Sequence, residues 1–263
     1  MDAYEQEQLA EIEKWKQEEP GLASQTLSTV TKPLSWLASK VIPTTLVQKA
    51  IDGFDSISQG SLNSKDILKE AKVSSIKELR HKNLEECDAL AKSVHNWANG
   101  MAGASGGVFG ATGVGGVPLD LATLITLSLR TIHKVGLCYG FENLNQQFVL
   151  GVLAVSSAGN RSEKRESLEL VREVEQVVIY EISEDAVRDT LISKAVSKSV
   201  FSARGVSKQL GQYLAQRKSL QVVPVVGGVV SGVSNISFVS DVAWAARRIC
   251  QEMWLIENGR LDP

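Results

Sequence analysis

Residues 118–137 read PLDLATLITLSLRTIHKVGL. Proline suits the first turn of a helix, where its missing N–H breaks no intrahelical bond. Behind it, Leu121, Leu124, Ile125, Leu129 and Ile132 recur at three- and four-residue steps. Asp120, Thr123, Thr126, Arg130, His133 and Lys134 take the opposite side. That is the period of an amphipathic helix, and a strand cannot reproduce it.

The same period extends in both directions. Tyr4–Glu18 is an acidic helix stopped by Glu19, Pro20 and Gly21, and Leu22–Val41 again carries apolar residues at helical steps. Thr44–Ser58 forms a further helix, and Asn63–Arg80 reads as short helices joined by Ser-rich turns. Asn83 followed by Glu86 offers an N-cap with an acid at N3 and opens a helix through Trp97. Downstream come a helix over Asn145–Ser157, a long periodic stretch over Arg161–Lys218 and a last helix over Asp241–Glu257. The β-branched run Gln221–Val226 is broken by Pro224, which disfavours a strand. The expected fold is all-α: a multi-helix single domain over residues 1–263. A separate helical lobe over residues 1–80 stays open as an alternative.

Glycine supplies eight of the 17 residues from Gly100 to Gly116. The pairs 103/107, 106/110 and 228/232 are spaced four apart, which leaves a smooth helix face that another helix can approach closely. Residues 99–119 and 220–240 contain almost no charge, and each approaches the length needed to cross a hydrocarbon core. They are read as two closely packed glycine-rich helical segments, with bilayer contact as the competing reading.

With 263 residues, 43% of them apolar and 22% charged, the chain can bury a sizeable core. A net charge of −2 gives no overall field for nucleic acid, and no aromatic stripe suggests base stacking. The five tryptophans fit core or interface positions on helices. Cys87, Cys138 and Cys250 are far apart and odd in number, so no disulfide framework is expected and a reducing cytoplasm fits. Met1–Glu5 lacks the start of a signal peptide.

Candidate chemistry is thin. Gly103-Ala104-Ser105-Gly106-Gly107 spells G-x-S-x-G, with Asp120 and His133 following in hydrolase order. No strand precedes Ser105, and one helix would hold Asp120 and His133 about 20 Å apart. No catalytic residue is assigned. Phosphate-loop motifs are missing, because Pro118 replaces the third glycine after Gly113 and Gly115. His81, His95 and His133 stand at no ligand spacing, so neither metal nor cofactor is expected. Arg130, His133 and Lys134 lie within about one turn and form an anion-binding candidate, unless Glu85 or Asp88 pairs with them. Lys194, Lys198, Arg204 and Lys208 fall within about 120° of one helical arc, opposite Val196, Val200, Val206, Leu210 and Leu214. They are a membrane-surface candidate, the alternative being a solvated face balanced by the acidic first helix.

Several stretches together resemble the EcsC family. These are Glu85–Asp88 with His95–Ala98, Leu129–Gly140, and Pro224–Val230 with Asn235; the N-terminal Tyr4–Pro43 segment is also similar. The resemblance covers nearly the whole chain and is most specific over Arg130–Gly140. It implies a bacterial, mostly helical protein, encoded in some genomes beside an ABC transporter, and it brings no catalytic residues. The expected function is therefore non-enzymatic: a cytoplasmic protein, peripheral on the inner face of the cell membrane, docked on an anionic membrane surface or on a membrane protein such as an ABC transporter. Two alternatives remain, an enzyme acting on a lipid or peptide near Asp120–Lys134 and a soluble helical scaffold.

Overall fold

The computed structural model describes residues 1–20, Thr45, Lys49, and residues 64–110, 117–180, 203–218 and 227–262. Among the described residues there is no strand, and the fold is all-α. The apolar spacing over Leu22–Val41, the run Gln221–Val226, and both Lys194 and Lys198 lie outside the described residues.

Helix α1 spans Ala3–Gln17. Asp2 caps it reciprocally: its carboxylate accepts from the Glu5 N–H, and Glu5 accepts from the Asp2 N–H, each at 2.8 Å. A short α2 (Lys65–Ala71) and a 3-10 turn (Ile76–His81) follow. Then comes α3, Leu84–Gly110, with Asn83 accepting from the Glu86 N–H at 2.8 Å as the capping pattern predicts. The helix does not stop near Trp97 but continues through the glycines. A glycine inside a helix costs about 1 kcal/mol against alanine when nothing packs on it. At Gly103 the side chain of Ile236, from the last helix of the chain, packs on it and offsets that cost.

Helix α4 (Val117–Cys138) returns antiparallel to α3. It ends in a Schellman motif: the Phe141 N–H bonds to the Gly136 carbonyl and the Gly140 N–H to that of Leu137. Gly140 has φ +87°, and a Cβ there would lie 2.6 Å from the Arg80 backbone nitrogen, so glycine is required on two counts. Next are α5 (Gln146–Ser156), buried without a break from Phe148 to Val155, and α6 (Arg161–Ile179), which buries Val171, Val174 and Val178 against it. Helix α7 covers Ala203–Lys218.

Helix α8, Gly227–Glu257, begins 14 residues before the expected Asp241. Its uncharged first half is therefore continuous with its amphipathic second half. Helices α3 and α8 run antiparallel, with Gly103 beside Gly232, His95 beside Ser240 and Asp88 beside Gln251. Together α3, α4 and α8 form the central bundle, and the two glycine-rich segments do pack closely. The carboxylate-rich α1 crosses the lower half of α8, where Lys16 and Arg248 meet Glu252 and Glu11 respectively.

Candidate functional site

At the lower end of the bundle a buried carboxylate gathers four helices. Asp88, 4% exposed, accepts hydrogen bonds from the Tyr4 hydroxyl (2.7 Å), the Tyr139 hydroxyl (2.5 Å) and the Gln251 amide (2.7 and 2.8 Å). Arg248 holds the Gln251 and Gln8 carbonyl oxygens at 3.1 and 3.0 Å. Burial, reinforced by Asp88, pushes both phenols well above their ordinary pKa, so they stay protonated donors. These bonds tie α1, α3, α8 and the end of α4 together at one carboxylate. Sequence reasoning did not find this hub; the available signal was a carboxylate two and three residues before the apolar Leu90 and Ala91 on the same helix.

At mid-height, His95 lies 2.9 Å from the Ser240 hydroxyl and packs edge-on against Trp244. Burial, with a lesser push from Arg247, lowers its pKa to about 4. Of the core or interface positions expected for the tryptophans, Trp97 and Trp244 do not take the core. They are 37% and 41% exposed, with Lys134 over the Trp97 ring and Arg247 and Arg248 over Trp244. Cation–π contact holds these cations against the rings, and Arg248 also pairs with Glu11.

Above this belt the bundle changes character. Residues 93–110 of α3, 117–129 of α4 and 227–240 of α8 contain one charged residue between them, Asp120. It is fully buried and accepts from the Asn235 amide at 2.7 Å. The exposed large side chains here are Met101, Val108, Leu119, Val233 and Ile236. The glycine-rich end of the bundle is thus an uncharged tip with an apolar surface.

Between belt and tip, α3 and α4 enclose a cleft of about 330 Å³. Trp97, Met101 and Leu127 give it apolar walls, and Arg130 stands in it. The Arg130 Nε is buried, and among the described residues no atom accepts from it. The carboxylates that could have neutralised it are placed elsewhere, Asp88 being taken by the hub. Lys134 sits one turn on, 4.9 Å from the Trp97 centroid. His133, the third member of the expected cluster, lies on the buried side of α4. Burial lowers its pKa to about 4, so it is neutral at pH 7 and adds no charge. Of the expected cluster, Arg130 and Lys134 share this side of α4 and His133 does not.

The remaining candidates do not assemble. Ser105 lies inside α3 and donates to the Ala102 carbonyl at 3.1 Å, while Asp120 and His133 are thirteen residues apart on α4, about 20 Å along its axis. Among the described residues no three His, Cys, Asp or Glu side chains are placed to hold a metal ion. All three cysteines are buried free thiols, and burial raises the Cys87 pKa to about 12. A second cleft, about 370 Å³, lies where α1, α7 and α8 meet. Its Lys164, lowered by burial to about 8, is occupied with the Trp15 and Glu18 carbonyls and caps the end of α1. Arg204 and Lys208 are exposed one turn apart on α7.

The stretches that resemble the EcsC family are the ones that meet in this architecture. Asp88 meets Tyr139, His95 meets α8, and Asn235 meets Asp120. In comparison with known proteins, the chain is similar to the uncharacterized protein YdbA of Bacillus subtilis, 23% identical over 187 residues; this covers 70% of the chain and 64% of YdbA. No solved structure matches the chain. The EcsC protein family matches residues 6–255, from α1 to the end of α8. Apart from Tyr4, the hub, the belt and the tip lie within that match, and the chain belongs to the EcsC family.

Proposed function

We propose that the protein is a non-enzymatic peripheral membrane protein that docks through the uncharged tip of the α3–α4–α8 bundle. The observation that carries this reading is the distribution of charge. Three neighbouring helix segments present no exposed charged side chain among the described residues, yet Val108, Leu119 and Val233 stand there 66%, 63% and 62% exposed. A contiguous apolar surface of this kind marks a contact with a membrane or a protein. Helical backbone is hydrogen-bonded internally, so glycine-rich helices can enter an apolar phase at no cost in unpaired amides. The half-exposed Trp97 and Trp244, flanked by cations, are the residue types favoured where hydrocarbon gives way to headgroups.

Docking is favoured over spanning. Leu119–Cys138 has the length and composition to cross a bilayer, but 72% of that window is buried inside the protein. Fully burying a Val or Leu side chain is worth about 1.5–3 kcal/mol. Five side chains with about half of that still to gain give roughly 5 kcal/mol, enough for reversible attachment. Exposed Arg204 and Lys208 add attraction to anionic lipid of about 1 kcal/mol each, weakened by salt.

The test is co-sedimentation with protein-free vesicles of phosphatidylcholine. The wild-type chain should partition onto them, and the triple variant Val108→Asp, Leu119→Asp, Val233→Asp should lose at least tenfold in partitioning with its thermal unfolding unchanged, since all three side chains face outward. Wild-type protein that stays in the supernatant would overturn lipid docking. The tip would then be read as a contact for a membrane protein such as an ABC transporter, the other partner that the family resemblance implies.

A further inference from the structure

We infer that the cleft between α3 and α4 is a headgroup site, in which Arg130 and Lys134 hold the phosphate of an anionic phospholipid, whose headgroup carries no cation to offset it, while its acyl chains lie along the tip. This rests on the docking reading above and adds a ligand to it.

The level of the cleft in the molecule is fixed by three contacts. Lys134 lies over Trp97, His95 meets Ser240, and Asp120 meets Asn235. Counting back from the tip along each helix, the first charged residues after the buried Asp120 are Lys92 on α3, Arg130 on α4 and Asp241 on α8. Those contacts place Arg130 and Asp241 near the level of Trp97 and His95, with Lys92 one to two turns further from the tip. Arg130 is thirteen residues into α4, about 20 Å from its start, which is more than the hydrocarbon half of a bilayer. With the tip in the acyl layer, the Arg130 cleft sits at headgroup depth.

The chemistry of the cleft selects an anion. The Ser105 and Thr126 hydroxyls donate to the Ala102 and Ala122 carbonyls, so they offer no proton to a ligand. The charged donors are Arg130, whose Nε has no acceptor among the described residues, and Lys134 over the neighbouring Trp97 ring; the Thr123 hydroxyl also lines the cleft. A guanidinium fork matches phosphate oxygens in pairs, and a lysine one turn away supplies a second positive charge. The other walls are apolar: Trp97, Met101 and Leu127 lead from the guanidinium toward Val108 and the tip. A free inorganic anion would use only the two cations. A phospholipid uses both the cations and the apolar wall.

The experiment compares vesicles of phosphatidylcholine alone with vesicles that also contain phosphatidylglycerol, using the full chain. The anionic vesicles should bind the wild type more tightly. Arg130→Gln should reduce that preference about fivefold, and Arg130→Gln with Lys134→Gln about thirtyfold, with partitioning onto phosphatidylcholine unchanged. Arg130→Lys should keep most of the preference, which shows that the site tolerates substitution and still folds. A preference left intact in the double variant would overturn the headgroup site while leaving docking in place. Equal loss on both vesicle types would also overturn it. Inorganic phosphate that competes away the preference at equimolar lipid phosphate would make it a free-anion site and overturn the lipid assignment. Wild-type protein that binds neither vesicle would overturn both readings.

Discussion

The two ends of the α3–α4–α8 bundle are built from the same three helices by opposite means. At the lower end, Asp88 collects Tyr4, Tyr139 and Gln251, Arg80 bonds the Gly140 carbonyl at 3.0 Å, and Asn258 bonds the Arg80 carbonyl at 3.0 Å. Each of these is directional, and those of Gln251 and Asn258 fail if α8 slips by one turn. The tip holds the buried pair of Asp120 with Asn235, set among glycine and small apolar residues. Non-directional packing does not fix register. The polar end therefore specifies how the helices pair, and the tip inherits that pairing while keeping a surface free of charge. Division of labour along one bundle is what allows an apolar end to exist without scrambling the fold.

The sharpest way to break this comparison is Asp88→Ala. The Tyr139 hydroxyl and Gln251 amide would lose their acceptor in the interior, and Tyr4 would lose its own at the edge. Each unsatisfied buried group costs about 1–3 kcal/mol, so the variant should lose about 4 kcal/mol. Urea unfolding followed by circular dichroism measures this. A loss below about 1 kcal/mol would show that packing, not the hub, holds the helices together.

Much of this division was legible in the sequence and some was not. The apolar period over residues 118–137 led to α4, and four-residue glycine spacing led to the close approach of α3 and α8. Both are local patterns with one physical meaning. Boundaries inside glycine-rich sequence were misjudged at Trp97 and Asp241, because propensity counts the entropy a glycine loses and cannot see the helix that packs on it. The hub was invisible for a different reason. Asp88, Tyr139 and Gln251 are 51 and 163 residues apart from Asp88 outward, and nothing local marks them as partners. His133 looked like a cation on the polar face of α4; its burial depends on neighbours that the helical projection leaves out.

A smaller effect separates the ends by pH. His95 stands between them, beside Ser240 and Trp244 and within reach of the Arg247 charge. Its folded pKa of about 4 lies below the unfolded value of 6.5. Above pH 6.5 both states are neutral and nothing is lost. As pH falls from 6.5 toward 4 the unfolded chain takes up a proton that the folded one refuses, and stability drops. His133 acts in the same sense, and Glu175, raised to about 7, acts in the opposite one; both persist in a variant at position 95 and cancel in the comparison. His95→Gln should therefore lose about 2 kcal/mol less than the wild type between pH 7 and pH 4.5. Identical pH slopes would place the acid sensitivity of the bundle elsewhere.

The smallest effect tests how tightly the tip is closed. A Cβ on Gly232 would lie 3.5 Å from the Gly103 carbonyl oxygen and 3.9 Å from the Gly107 nitrogen, which is ordinary contact with the backbone of α3. An added methyl thus fits without moving either helix. It also removes conformational freedom from the unfolded chain and raises helix propensity by up to about 1 kcal/mol. Gly232→Ala should accordingly leave stability unchanged or raise it by about 0.5 kcal/mol. Gly232→Leu extends four heavy atoms beyond the α-carbon into the same backbone and must separate the helices. If alanine instead destabilises the chain, α3 and α8 approach more closely than 3.5 Å allows, and the tip is a specified interface in its own right. If leucine is tolerated as well, the glycines do not set the helix spacing, and the pairing of α3 with α8 is fixed at the polar end alone.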